Sequence, residues 1–431
     1  MKRLIRLMQA LEEQLVVCIR CGMCQAVCPL YNQTGREADV ARGKLAMLDG
    51  ILADMFDDPQ GVIERLNRCL LCGSCAANCP SRVRVLEIFI KARAILTGYQ
   101  GLSPLKKLIL RGMLARPRVT DQLVEWGAQL QTIGIRPANE AAGTSCARFM
   151  SPLLSDRHFK PLASEPFHKR TPSLNTASVS GKPKVTFFTG CLIDKIYPDI
   201  AQASIDVLHY HGVGVHIPED EGCCGIPALS SGDTATFDKL LRHNVRKLVS
   251  EKTDYLLTAC ATCTSVIKEI WPVMAGDDDP TLKKTVKTLS AKTMDINQFL
   301  VSEVGLREIK TDNEHDSAKV TYHDPCHLKK TQGVFEQPRA VLRSTASYEL
   351  VEMQDADTCC GMGGSFNLQY YQISSAIGTL KRDNIAATGC SVVATGCPAC
   401  MMQIADALSQ AKDKIAVKHP IELYAEMIKK R

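Results

Sequence analysis

Twenty of the 431 residues are cysteines, and eighteen of them fall into four spaced sets. Two sets are tight. Cys18, Cys21, Cys24 and Cys28 precede Pro29, and the same spacing recurs at Cys69, Cys72, Cys75 and Cys79 before Pro80. Two-residue gaps wrap three thiolates around one cubane [4Fe–4S] cluster while successive amides turn toward its sulfides. The proline ends the turn, and the fourth cysteine reaches a second cluster. This assigns Cys18, Cys21, Cys24 and Cys79 to one cubane and Cys69, Cys72, Cys75 and Cys28 to the other. Unswapped ligation, with each run holding its own cluster, is the alternative. Zinc ribbons use two separated pairs rather than four cysteines in such a short run, so zinc is the poorer reading.

The other two sets are wide. Cys191, the pair Cys223-Cys224 before Gly225, and Cys260 with Cys263 form the first. Cys326, Cys359-Cys360 before Gly361, and Cys397 with Cys400 form the second, offset by 135 to 137 residues. Five converging thiolates exceed what one zinc ion takes and suit an irregular multi-iron cluster. Buried small hydrophobes would be the bland reading of one such set. Two sets with nearly equal spacing argue for metal or cluster binding. Cys146 and Cys390 fit no set and are read as non-ligands. His323 and His327 flank Cys326 and could hydrogen-bond a cluster thiolate or relay protons, although an ordinary buried role suits them as well.

The elements that must position these thiols follow from the pattern. The offset marks a duplicated domain, because solenoid repeats run only about 20–50 residues. In each copy a β-branched or aromatic run (185–188 and 320–322) forms a strand that ends at the first cysteine. Further strands at 213–217, 255–258 and 391–395 alternate with helices at 200–209 and 236–248. Strand ends then gather the cysteines at one edge of a sheet. The expected fold is α+β: a mainly helical two-cluster ferredoxin-like domain over 1–100, a helical basic segment and Ser/Pro-rich linker over 101–183, and two α/β domains over 184–318 and 319–431.

Composition narrows the function. Hydrophobic residues make up 45% and charged residues 23%, as in a globular chain. No apolar run reaches the ~18 residues of a spanning helix. Arg6 and Glu12-Glu13 interrupt any signal-peptide core, so a cytoplasmic location is expected, where cysteines bind metal more often than they pair. Residues 81–118 carry nine Lys/Arg against the single acid Glu87. That stretch suits an acidic partner or peripheral contact with the cytoplasmic face of an inner membrane, or is simply a solvated face. No nucleic-acid reader motif accompanies it. Gly361 to Gly364 lack the strand–glycine–helix context of a nucleotide site, and no Walker motif or haem-attachment CxxCH is present.

Over its whole length the chain resembles the iron–sulfur subunits of two-component 2-hydroxy-acid dehydrogenases, such as glycolate oxidase and NAD-independent D-lactate dehydrogenase. The residues that carry the likeness are the 18–29 run followed by Leu30-Tyr31, Arg42-Gly43-Lys44, the 69–80 run, His323-Asp324-Pro325-Cys326-His327-Leu328 and both CCG repeats. The CCG domain is shared with heterodisulfide reductase subunits. The resemblance implies two cubanes plus one or two noncubane [4Fe–4S] clusters, with no flavin or NAD on this chain. It also implies an FAD-binding dehydrogenase subunit as partner and a quinone or other carrier as acceptor. The alternative is a heterodisulfide reductase-type subunit that reduces a disulfide at the noncubane clusters. Some glycolate-oxidase relatives have lost part of the last CxxC. Cys397 and Cys400 are both present here, which moves the chain toward that alternative. No catalytic residue is assigned.

Overall fold

The computed structural model describes residues 1–149, 156–276, 278–306, 317–345 and 347–429. The chain is α+β and divides into two compact units.

The first unit gathers Met1–Ala115, Gly225–Lys239 and Gly361–Gly378. Its described residues form helices and connecting turns, without a strand. Leu4, Met8, Leu11 and Leu15 recur at helical spacing and are at most 2% exposed. That stripe packs the N-terminal helical stretch onto the helices Ala41–Leu52 and Val85–Gln100. Gly43 permits the next contact. A Cβ there would lie 2.0 Å from the Glu37 carbonyl oxygen, so only glycine lets the helix meet the turn Glu37–Asp39. Arg93 is buried in this unit and donates to the carbonyls of Cys69 (2.7 Å), Ser230 (2.9 Å) and Leu66 (3.1 Å). Burial of a guanidinium is tolerable because these carbonyls take up its donors.

The second unit comprises Arg116–Cys224, Leu240–Cys360 and Thr379–Arg431. It holds two mainly parallel sheets with the same internal order. One runs Gly214–Ile217, Lys184–Phe187, Tyr255–Thr258, Thr293–Asp295, with Leu174–Asn175 added antiparallel at its edge. The other runs Tyr348–Leu350, Ala318–Tyr322, Val392–Ala394, Ala416–Lys418, all parallel. Val185 pairs with Val215 on one side and Tyr255 on the other; Val320 pairs with Leu350 and Val392 in the same way. The duplication in the sequence is thus a duplication of sheets. Val185, Phe187, Val320 and Tyr322 are fully buried, as strands covered on both faces require.

The stretch expected to be helix and then linker is partly sheet. Helical structure ends at Gly134, and Ile135–Asn139, Thr144–Ala147 and His158–Phe159 form an antiparallel sheet. Pro137, Asn139 and Gly143 break the helical periodicity, and strands of two to five residues are too short to show an alternation. Asp406 accepts from the His158 amide at 2.9 Å, and Ser409 accepts from Thr144 at 2.6 Å, so this stretch is tied to the helix Pro398–Gln410.

Candidate metal centres

Within the first unit the two tight runs adopt one backbone. Arg20 and Leu71, two residues into each run, have φ of 58° and 55°, and the glycines after the second cysteines, Gly22 and Gly73, have φ of 85° and 74°. Alternating left- and right-handed residues turn successive N–H groups inward and make a concavity for anions. Non-glycine residues held at positive φ cost about 1 kcal/mol each, a strain tolerated where geometry is functional. Donors already reach the sulfurs: the Leu71 amide lies 3.4 Å from Cys69 Sγ and the Val83 amide 3.5 Å from Cys79 Sγ. The short helices Met23–Ala26 and Ser74–Ala77, which carry Cys24 and Cys75, touch each other.

Charge shows which thiols are neighbours. Burial pushes the Cys28 thiol up to about 11, and Cys72 and Cys69 add like-charge repulsion. Cys75 is raised by burial and then by Cys69, Cys72, Cys28 and Cys24. Cys28 therefore keeps company with the second run. Cys24 is raised by burial and feels Cys18 of its own run. Such thiols ionise only with a cation among them, which is the condition iron satisfies.

Two cations that enter the sequence reading only as part of a likeness stand beside these sets. Arg42 bonds Glu37 at 2.6 Å and the Arg20 carbonyl at 3.2 Å and lies in the field of Cys24 and Cys21. Lys44 is buried, donates to the Asp39 carbonyl, and has Cys69 and Cys28 opposing the effect of burial on its charge. One helical turn thus gives each run a positive neighbour. Positive charge beside a cluster is one of the ways a protein sets its potential.

In the second unit the wide sets converge where strands end. Cys191 Sγ lies 3.6 Å from Cys223 Sγ, and Cys263 hydrogen-bonds with both Cys224 and Cys260. Cys360 Sγ lies 3.3 Å from Cys400 Sγ, which also contacts Cys397. Cys326 opens the helix Cys326–Gln332, and Cys359 is buried beside Cys360. Cys260 in turn contacts Cys397, and the Ala261 amide donates to the Gly396 carbonyl at 3.0 Å, so the two CxxC turns meet. Gly190, at φ 71°, stands where a Cβ would press on Cys263 Sγ at 3.2 Å. A thiol-rich donor set, mostly buried, fits iron–sulfur clusters and no hard cation.

The surroundings of the two wide sets differ. Around the first, Asn244 donates to the Cys223 carbonyl at 2.8 Å and Trp271 Nε1 to the Cys224 carbonyl at 3.1 Å. Around the second, buried Lys381 donates to the carbonyls of Asp355 and Ala356, and burial lowers it to about 8 against the attraction of Cys360 and Cys359. None of these three stands out in the sequence, because a lone Lys, Asn or Trp inside a helical stretch carries no spacing signal. Cys146 accepts from Arg136 Nε at 3.4 Å, and Cys390 is buried against the Ile385 carbonyl. His327 Nδ1 lies 3.3 Å from Thr262 Oγ1, whose own oxygen is 3.4 Å from Cys397 Sγ.

Comparison with known proteins agrees with this chemistry. A model described as a 4Fe-4S dicluster domain matches residues 14–83, and a cysteine-rich domain model named CCG matches 185–268 and 320–405. The chain is 27% identical to a "probable glycolate oxidase iron-sulfur subunit" of Bacillus subtilis over 91% of this chain and 89% of that one. It is 27% identical to a subunit of the dihydromethanophenazine:CoB–CoM heterodisulfide reductase of Methanosarcina barkeri, over 96% and 94%. It is 30% identical to lactate utilization protein A of Shouchella clausii, over 54% of this chain and 95% of that one. The chain belongs to the family of iron–sulfur proteins built on paired CCG cysteine-rich domains, here joined to a 4Fe-4S dicluster domain.

Proposed function

We propose that this chain is the electron-transfer subunit of a flavin-dependent 2-hydroxy-acid dehydrogenase acting on glycolate or D-lactate. A partner subunit binds FAD and oxidises the substrate; this chain takes the electrons one at a time and delivers them to a quinone or another carrier. Cys18, Cys21, Cys24 and Cys79 hold one cubane, and Cys69, Cys72, Cys75 and Cys28 the other. Cys191, Cys223, Cys224, Cys260 and Cys263 hold one noncubane cluster, and Cys326, Cys359, Cys360, Cys397 and Cys400 a second. When bound, the clusters supply single-electron storage and transfer. The protein's own residues enclose most of the thiols, aim amides at some of them and place Arg42, Lys44, Lys195 and Lys381 beside them.

The observation that carries the reading is the gathering of the thiol sets, each with a cation alongside. With it goes similarity to a glycolate oxidase iron–sulfur subunit and to a lactate utilization protein. Contact with the partner would fall to an exposed apolar stripe. The helix Pro117–Gly134 leaves Leu123, Trp126, Leu130 and Ile133 exposed along one stripe, while Asp121 and Glu125 on the same helix bind Lys195, His168 and Lys169. Contact with an anionic membrane face would fall to the exposed Leu105, Leu108 and Ile109 beside Lys107, since Arg93, Arg111 and Arg118 of the basic stretch are committed to partners within their own units.

The second reading, disulfide reduction at the noncubane centres, is favoured by the two complete CxxC turns and by the match to a heterodisulfide reductase subunit. Isolation of the tagged chain without oxygen from its native source separates the two. Co-purification of an FAD-containing subunit, bleached by glycolate or D-lactate, supports the dehydrogenase. A haem-containing partner, with reoxidation of the chain by a heterodisulfide, would replace it with the reductase.

A further inference from the structure

The two CCG sites share a frame, and one side chain inside that frame has changed its chemistry. Phe188 and His323 stand three residues before Cys191 and Cys326. Their amides make the same bond in each sheet, Phe188 to the Leu257 carbonyl at 2.8 Å and His323 to the Ala394 carbonyl at 2.9 Å. They are therefore structurally equivalent positions. Both are fully buried. At the first site the residue is a phenylalanine; at the second it is an imidazole with two nitrogens to satisfy.

One nitrogen is accounted for. His323 Nδ1 lies 3.1 Å from the Ala356 carbonyl oxygen, which can only accept, so Nδ1 carries the proton. In the neutral ring Nε2 is then left with a lone pair and no proton. Among the described residues Nε2 has no hydrogen-bond partner. One ring nitrogen of His323 lies with Cys360 Sγ and Cys400 Sγ in a group whose atoms are all within 4.8 Å of one another, all three residues being buried, and with Nδ1 held by the carbonyl it is Nε2 that has a lone pair to offer. A lone pair and two thiolates facing one another without a cation would repel, and a buried acceptor left alone costs about 1–3 kcal/mol. A ring held by Nδ1–H on a backbone carbonyl, with Nε2 turned to sulfur ligands, is the orientation that metal-binding histidines adopt.

We propose that His323 Nε2 is a nitrogen ligand to the metal centre held by Cys360 and Cys400, so that the second CCG site has a mixed sulfur–nitrogen donor set and the first an all-sulfur one. The proposal rests on the reading of the CCG sets as iron–sulfur sites. Neutral imidazole in place of a thiolate reduces the negative charge of the centre, and histidine ligation raises the potential of other iron–sulfur centres. The second site would then be the better electron acceptor of the pair.

His323→Phe is a fold-compatible test, because the first site already accommodates phenylalanine at this position. The full chain, in its native complex and purified without oxygen, is compared as wild type and His323→Phe, each with natural and ¹⁵N-labelled histidine. Iron content is measured first, then pulsed EPR of the partly reduced centres. The expected result is a strong nitrogen coupling in the wild type that changes with the histidine label. It is absent from His323→Phe, while the spectrum of the other CCG centre is unchanged. A coupling that survives in His323→Phe, or a wild type with full iron but no coupling beyond that of a distant nitrogen, overturns the ligation and leaves the cluster reading intact. Iron sufficient only for the cubanes in the wild type overturns the cluster reading at the CCG sets and the proposal with it. His323→Gln, which keeps a polar group without the ring, should also lose the coupling.

Discussion

The two CCG sites began as one sequence and still share a sheet order, a CCG turn and a CxxC turn, yet they are lined differently. The first has Phe188, Trp271 and Asn244 filling space or bonding backbone carbonyls, with the ion pair of Lys195 and Asp194 beside Cys191. The second has His323 and Lys381 instead, with Asp324 of the same loop bound by Arg339 at 2.7 Å. Duplication preserved what holds the thiols and released what surrounds them. The strand frame is constrained by burial on both faces, where any change costs packing.

The largest effect that could break this comparison comes from the ligands themselves. Cys224→Ser and Cys360→Ser should each remove one CCG centre and leave the other, read as loss of one set of EPR features with iron reduced accordingly. Loss of both centres from either change would mean that the meeting of Cys260 and Cys397 makes the two sites one. The CCG glycines come next. Gly225 and Gly361 have φ of 98° and 94°, so alanine at either is strained. At Gly361 the added methyl would meet the Ser374 carbonyl at 2.7 Å, and at Gly225 the Phe237 ring at 2.6 Å. A backbone cannot yield as a ring can. Gly361→Ala should lower stability by about 2 kcal/mol or more and Gly225→Ala by less, measured from denaturation midpoints. Lys381→Met should lower the reduction potential of the second CCG centre and leave the first unmoved, followed by redox titration with EPR.

The smallest effect lies beside the first site. His168 is bonded to Asp194 at 2.9 Å and to Glu125 at 3.1 Å, and the hydrogen bond to Asp194 raises its pKa above the ordinary value. A raised pKa means that this contribution is fully present below about pH 6.5 and is lost as the pH rises through the folded-state value. Being partly exposed, it should amount to no more than about 1 kcal/mol. The difference in denaturation midpoint between wild type and His168→Gln should therefore shrink from pH 6 to pH 8.

What is legible in the sequence is whatever repeats. Cysteine spacing announces the thiol sets, and buried strands at 185–188, 255–258 and 320–322 stand out because β-branched and aromatic residues cluster there. The sheet at 135–159 is not legible, because its strands are too short for a period. Arg42 and Lys44 can be quoted from the sequence but not explained by it. Nothing in an Arg-Gly-Lys triplet says that its cations will face two different thiol sets across a turn fixed by Gly43. His323 draws attention through its place beside Cys326. Its orientation toward Cys360 and Cys400, far along the chain, depends on which carbonyl its Nδ1 finds.

The central claim, that electrons from a 2-hydroxy acid enter these clusters, is most directly tested on the native complex isolated without oxygen. EPR spectra are recorded before and within seconds of adding glycolate or D-lactate. The account predicts the appearance of reduced-cluster signals from this chain with one of the two acids. Clusters that stay oxidised with every 2-hydroxy acid, yet respond to thiols or a heterodisulfide, would contradict it.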